Sequence, residues 1–218
     1  MAVVLCALPF SAMQAQDDRL LRDSLKAASE HLAYHPDSLD LRLRKASLNL
    51  QLQQWSYAKD EYDYVLDRQP MNLAALYYRA YANEQLRRYA FARIDYENLL
   101  KIVPGNFEAQ LGLALLNQKD RRYTEAYNQI NHLVEQYPDS ALAYAARGGM
   151  EMERGMLYLA EYDYSEALRR QTNDDWLLSR ADIRIRLKKY AAARADLDLL
   201  VERGTPRAAL KEWYAKLR

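Results

Sequence analysis

Few residues in this chain have the type and spacing that catalysis or metal binding requires. His31 and His35 stand four apart, which would put both imidazoles on one face of a helix and suit a bound cation. Pro36 follows directly and ends a helix there, and no third ligand stands at a suitable interval. His132 is remote from both. Cys6 is the single cysteine, so neither an internal disulfide nor a cysteine-rich metal site is available. Asp and Glu total 30, but they mix with 31 Lys and Arg as on solvated helix faces, and no pair stands out as the acid and base of a hydrolase. A glycine-rich phosphate loop and a nucleophile motif are both missing. The expectation is a chain with no catalytic residue, no metal site and no cofactor.

The elements that hold these residues follow from composition. Half of the 218 residues are hydrophobic, while glycine and proline number six each. Ala, Leu, Glu, Lys, Arg and Tyr are frequent, which favours helices over sheet. A formal net charge of +1 supplies no field that would draw the protein to nucleic acid or an anionic membrane. Residues 1–15 form an apolar run with small residues before Gln16-Asp17-Asp18, which reads as an export signal cut after Ala15 and places the mature chain in the periplasm or cell envelope. Two features depart from the usual leader: no Lys or Arg precedes Arg19, and Met13 stands three back from the cut. The run is shorter than the about 20 apolar residues of a spanning helix.

Proline spacing sets the organisation of the rest. Pro36, Pro70, Pro104 and Pro138 are each 34 residues apart, with Thr172 at the next step and Pro206 at the one after. Each follows a helix-forming run that it stops, and Asp37, Asn72, Asn106 and Asp139 lie just beyond, where they can cap the next helix. With the proline set at position 32, repeats begin at Leu39, Leu73, Phe107, Ala141 and Asp174. Position 8 then holds Ala46, Ala80, Ala114, Gly148 and Ala181, and position 20 holds Ala58, Ala92, Ala126, Ala160 and Ala193. Large residues occupy position 17 (Trp55, Tyr89, Tyr123, Leu157, Tyr190) and position 24 (Tyr62, Tyr96, Ile130, Tyr164, Leu197). Small side chains on two antiparallel helices let the backbones approach, and large ones fill the remaining space. At position 4, Arg42 and Gln110 stand where an aromatic or aliphatic residue is expected, so repeats one and three should pack more loosely there.

This pattern, over about residues 39–205, resembles the tetratricopeptide repeat family, whose period is 34 residues. The resemblance implies an all-α, right-handed superhelical solenoid built as one domain over 16–218. Its parts would be a leading helix 17–35, repeats 39–72, 73–106, 107–140, 141–173 and 174–205, and a capping helix 206–217. Leu210, Trp213, Tyr214 and Leu217 would form the inner side of that last helix, with Thr205 as its cap and Pro206 at its first position.

The resemblance also implies that first helices line a concave groove. Carried over position by position, the groove would present Leu43, Tyr77, Tyr81, Leu111 and Leu115, followed by Gln85, Lys119 and Arg186. The Lys, Asn and Arg clamp by which some members hold a C-terminal carboxylate is not matched here. Basic turns (Arg87-Arg88, Arg121-Arg122, Lys188-Lys189) would form one edge, as cations that complement the ends of first helices. The expected function is a non-catalytic scaffold that holds a protein or peptide segment in the groove. The alternatives are an accessory subunit of an envelope complex docking by its convex face or basic edge, and RNA binding, which the near-neutral charge opposes.

Overall fold

The computed structural model describes residues 10–217, with the backbone alone for 10–15, so the expected export signal lies outside the residues whose side chains are described. Every α-helix except the first and last has 13 or 14 residues. After α1 (Phe10–Tyr34) come five pairs. These are α2 (Leu39–Gln51) with α3 (Trp55–Arg68), α4 (Leu73–Gln85) with α5 (Tyr89–Ile102), and α6 (Phe107–Lys119) with α7 (Tyr123–Gln136). The last two are α8 (Ala141–Glu153) with α9 (Leu157–Arg170), and α10 (Asp174–Arg186) with α11 (Tyr190–Glu202). The leading helix starts earlier than the expected 17–35 and crosses the expected cut after Ala15, because nothing between Pro9 and His35 breaks a helix. The expected closing helix is a 3₁₀ turn, Arg207–Leu210, followed by the short α12 (Lys211–Ala215).

The chain divides into two compact units, 1–109 and 110–218. Cohesion between helix pairs is local, since each pair packs only on its neighbours. In the N-terminal unit α1 packs on α2, α2 on α3, α3 on α4 and α4 on α5; in the C-terminal unit α7, α8, α9, α10 and α11 pack in sequence.

Helix starts correct two of the expected caps. Asn72, Asn106 and Asn173 accept from the backbone N–H three residues on, at 2.7–3.1 Å. At the other two starts Ser38 and Ser140 do this, each one residue after the Asp expected from sequence. Thr205 caps nothing among the described residues; Pro206 precedes the 3₁₀ turn with no side-chain cap. The turn inside each pair takes a left-handed residue at one position, Gln53, Arg87, Arg121, Gly155 and Lys188, with φ between 56° and 74°.

Both alanine columns are fully buried, as is position 24. Gly148 shows why the columns must be small: a Cβ there would lie 3.1 Å from the Tyr164 ring. Position 17 lies at the margin of the core: Tyr123 is 43% exposed, its equivalents are half-buried, and Leu157 and Tyr190 pack against the core from the edge. Repeat one is not loose at Arg42. That guanidinium bonds Glu61 at 2.8 Å and the Pro36 carbonyl at 2.9 Å, and it stacks 3.3 Å over the Tyr64 ring. At the C-terminal end Leu210 and Leu217 complete a core with Leu177, Leu197 and Leu200, against which Trp213 and Tyr214 pack.

Candidate functional site

The C-terminal unit carries an open groove of about 530 Å³ on the face made by α6, α8 and α10. Its floor is apolar: Leu111, Leu115, Leu142, Ala145 and Trp176. These helices have an alternation of small and large residues, so Ala145, Ala146 and Gly149 keep the middle of α8 low while Leu142 stands 47% exposed at its start. The rim is charged. Lys119 and Arg121 lie at one end, and Glu153 accepts a hydrogen bond from the Gln118 side chain. Tyr123 contributes a ring beneath the Arg154 guanidinium, 4.7 Å away. The structure thus brings Leu111, Leu115, Lys119 and Arg121 together, and the equally exposed Arg186 is not among the lining residues.

In the N-terminal unit the tyrosines split into two roles. Tyr77 is half-buried and packs edge-on against Tyr96 of the paired helix, at 5.8 Å, and against Tyr78 at 5.3 Å. Burial raises its phenol pKa, with Tyr78 and Glu108 adding to the effect. Tyr77 is therefore part of the packing of its helix pair as well as a surface residue. Tyr81 is 38% exposed and meets Trp55 edge-on at 5.8 Å. Leu43 is half-buried, and Gln85 is exposed at the end of α4.

The basic turns have a different structural basis from the one expected. Arg87, Arg121 and Lys188 are the left-handed turn residues just past the first helices. Arg88, Arg122 and Lys189 are N-cap residues of α5, α7 and α11, where the helix dipole disfavours a cation. Local carboxylates compensate two of them: Arg122 bonds Glu125 at 2.8 Å, and Lys189 pairs with Glu161.

Sequence reasoning missed a ladder of internal ion pairs. Arg79, Arg147 and Arg180, at position 7 of their repeats, each chelate a fully buried aspartate on the paired helix: Asp95, Asp163 and Asp196, at 2.6–3.1 Å. Each arginine also reaches back to the preceding second helix, to Asp63, Asn131 and Ser165 respectively. Lys45 with Glu61 repeats the pair at 2.7 Å, whereas repeat three has Leu113 and Gln129 instead. The signal was present as a cation followed 16 residues later by a carboxylate, in phase with the prolines. Burial raises the Asp95 carboxyl while Arg79 opposes it, and Arg79 itself is held above its usual pKa by Asp95 and Asp63 against the cost of its own burial.

Two buried side-chain atoms among the described residues lack a hydrogen-bond partner, Asn49 Nδ2 and one oxygen of Glu151. Glu151 is 2% exposed; Oε1 accepts from the Tyr127 hydroxyl at 2.8 Å, while Oε2 has no hydrogen-bond partner. Burial, and then the nearby Asp163 carboxylate, push its pKa up to about 7, against the opposing effects of Tyr127 and Arg147. Burial and the bond to Glu151 raise the Tyr127 phenol to about 12.

Solved structures with the same arrangement of paired helices decide the fold. A tetratricopeptide repeat protein from Parabacteroides merdae superposes with a TM-score of 0.75 at 22% identity, over 93% of this chain and 79% of that one. The chain has the tetratricopeptide repeat fold. A thermophilic tetratricopeptide protein of Thermus thermophilus matches with a TM-score of 0.64 at 17% identity, over 83% of this chain and 98% of the other. YrrB, described as a tetratricopeptide protein with an unusual peptide-binding site, matches with a TM-score of 0.55 at 16% identity, over 82% and 92% of the two chains. No protein-family profile and no curated protein sequence matches the chain. Among the described residues, no helix of this tetratricopeptide array is long and apolar enough to cross a membrane.

Proposed function

We propose that this chain is a non-catalytic scaffold that receives an apolar segment of a partner protein in the groove on α6, α8 and α10. One observation carries the reading: Leu111, Leu115, Leu142 and Trp176 form an open floor on rigid helices. Apolar side chains already fixed on a scaffold offer contact area to a partner at little ordering cost. The rim adds direction, since Lys119 and Arg121 favour a segment with an acidic residue beside its apolar ones. Tyr81 with Trp55 offers a smaller aromatic surface in the N-terminal unit. The peptide-binding site of YrrB, on the same fold, supports this class of function.

A second reading is docking to an envelope complex through second helices. It is favoured by Tyr158, Leu159 and Tyr162, which α9 leaves half or more exposed. The apolar stretch 1–15 supports export of the protein, and intact Met1 on protein recovered from its native host would oppose it. The test of the groove is a photo-reactive amino acid placed at Leu142 in the full chain and irradiated in the native host. A crosslinked protein whose binding is then lost on Leu142→Asp supports the groove; crosslinks only from a probe at Tyr162 would transfer the function to the second helices.

A further inference from the structure

Two clefts between successive second helices, α9 with α11 and α3 with α5, can be compared position by position, and the second lacks a component of the first. Between α9 and α11 the cleft is closed by charge. Glu161 on α9 accepts from Arg184 at 3.1 Å and pairs with Lys189, the N-cap residue of α11. Burial opposes its ionisation, but Lys189 and Arg184 win and hold its pKa below the usual carboxylate value. Between α7 and α9 the corresponding places hold Tyr127, Glu151 and the N-cap Met156, a bond from Tyr127 to Glu151 without any N-cap cation, so that cleft is closed differently.

The cleft between α3 and α5, within the N-terminal unit, has the same frame but no carboxylate in that place. The residue equivalent to Glu161 is Lys59, which is taken up by Asp60 and Asp63. The equivalent of Arg184 is the short Asn83, and that of Lys189 is Arg88. Among the described residues the Arg88 side chain makes no hydrogen bond or ion pair. About 400 Å³ stays open here. Asp63 and Asp95 also line the cleft, and both bond Arg79, at 2.8 and 2.6 Å. Three lining cations thus face two carboxylates, and Arg88 is left uncompensated. At the rim Phe91 and Ile94 are 63% and 52% exposed, an unusual state for two large apolar side chains that neighbour each other on a helix.

We propose that this cleft docks an acidic side chain of a partner protein, seated on Arg88 as Glu161 is seated on Lys189, with an adjacent Leu or Phe of the partner covering Phe91 and Ile94. Within this one chain the equivalent cleft shows a carboxylate bound by the same N-cap position, so the chemistry of the missing component is read from the protein itself. A free phosphate fits less well. It would leave Phe91 and Ile94 uncovered, and Asp63 and Asp95 would repel a dianion. The site is built from α3, α4 and α5, shares no residue with the groove and does not depend on it.

The test uses the full chain, ¹⁵N-labelled, titrated with the capped peptide acetyl-Ala-Glu-Leu-Phe-Ala-amide, its Gln analogue, and inorganic phosphate. The Glu peptide should shift the amide signals of Asn83, Arg88, Phe91 and Ile94. The Gln analogue should bind about tenfold more weakly, a loss of about 1.4 kcal/mol. Arg88→Gln should remove the preference for Glu. Lys59→Glu supplies the internal carboxylate that Glu161 supplies elsewhere, so it should block the peptide while thermal unfolding confirms a folded chain. The proposal is overturned if the peptide causes no shift at millimolar concentration, or if both peptides bind alike. It is also overturned if Lys59→Glu binds as wild type, if phosphate alone gives the same shifts, or if the shifts fall on Leu115 and Trp176 instead.

Discussion

Replacing Glu151 by glutamine should stabilise the C-terminal unit at pH 8 and leave it nearly unchanged at pH 4. The carboxyl is buried between Tyr127 on α7, Arg147 on its own helix and Asp163 on α9, with Oε2 unsatisfied. Its pKa rises from 4.5 to about 7 on folding, so between those values the folded chain keeps a proton that the unfolded chain has released. Stability therefore falls as pH rises through that window and is level above it. One pKa unit corresponds to about 1.4 kcal/mol, which sets the cost of ionising Glu151 at on the order of 3 kcal/mol before the site relaxes. Glutamine keeps the acceptor for the Tyr127 hydroxyl, places an amide donor toward Asp163 and never ionises. The expected gain at pH 8 is about 1–3 kcal/mol, worth several degrees in melting temperature for a chain of this size. Urea unfolding of both proteins by circular dichroism from pH 4 to 8 reads this directly, because other titrating groups cancel in the difference. A difference that stays flat across the range, or a variant less stable at pH 8, would refute the reasoning.

Three further outcomes are expected. Asp95→Ala leaves Arg79 with Asp63 alone in a half-buried site and should cost about 3 kcal/mol, measured by urea unfolding; a loss below about 0.5 kcal/mol would mean that the ion-pair ladder is not structural. Ala92→Leu and Ala126→Leu insert bulk where the helix pairs touch, and each should cost about 1–3 kcal/mol; unchanged melting temperatures would contradict the packing assigned to that column. Lys188→Gly should stabilise, and Gly155→Ala destabilise, each by about 1 kcal/mol, since both positions need positive φ; equal thermal melts would show that the turns carry no strain.

Periodicity makes much of the fold legible in the amino-acid sequence. Proline, alanine and position-24 residues report on backbone stops and close helix contacts, and those constraints recur in every repeat. The sequence places two caps one residue early, at Asp37 and Asp139, because Asp and Ser both suit an N-cap and only the following helix phase decides between them. The basic turns are legible only in part, because the sequence shows that Arg88 and Lys189 follow a helix, but not that they begin the next one. The arginine–aspartate ladder escapes because its members are 16 apart, outside the short spacings by which charges on one helix are judged. Leu111 and Leu115 are legible as groove candidates, since their positions within the repeat assign them to one helix face. Leu142 and Trp176 are not, because their lining role depends on how low Ala145 and Gly149 keep the neighbouring surface.

The central claim is that the floor of the C-terminal groove holds a partner protein. Titration calorimetry of the partner captured through Leu142 tests it, using wild type, Leu115→Ala, Leu142→Asp and the double variant Arg121→Ala/Arg122→Ala, with circular dichroism confirming equal helicity. Each leucine variant should weaken binding about tenfold or more, and the arginine pair should do less. Full affinity in both leucine variants, with binding abolished by the arginine pair, would contradict the account and place recognition on the basic turns.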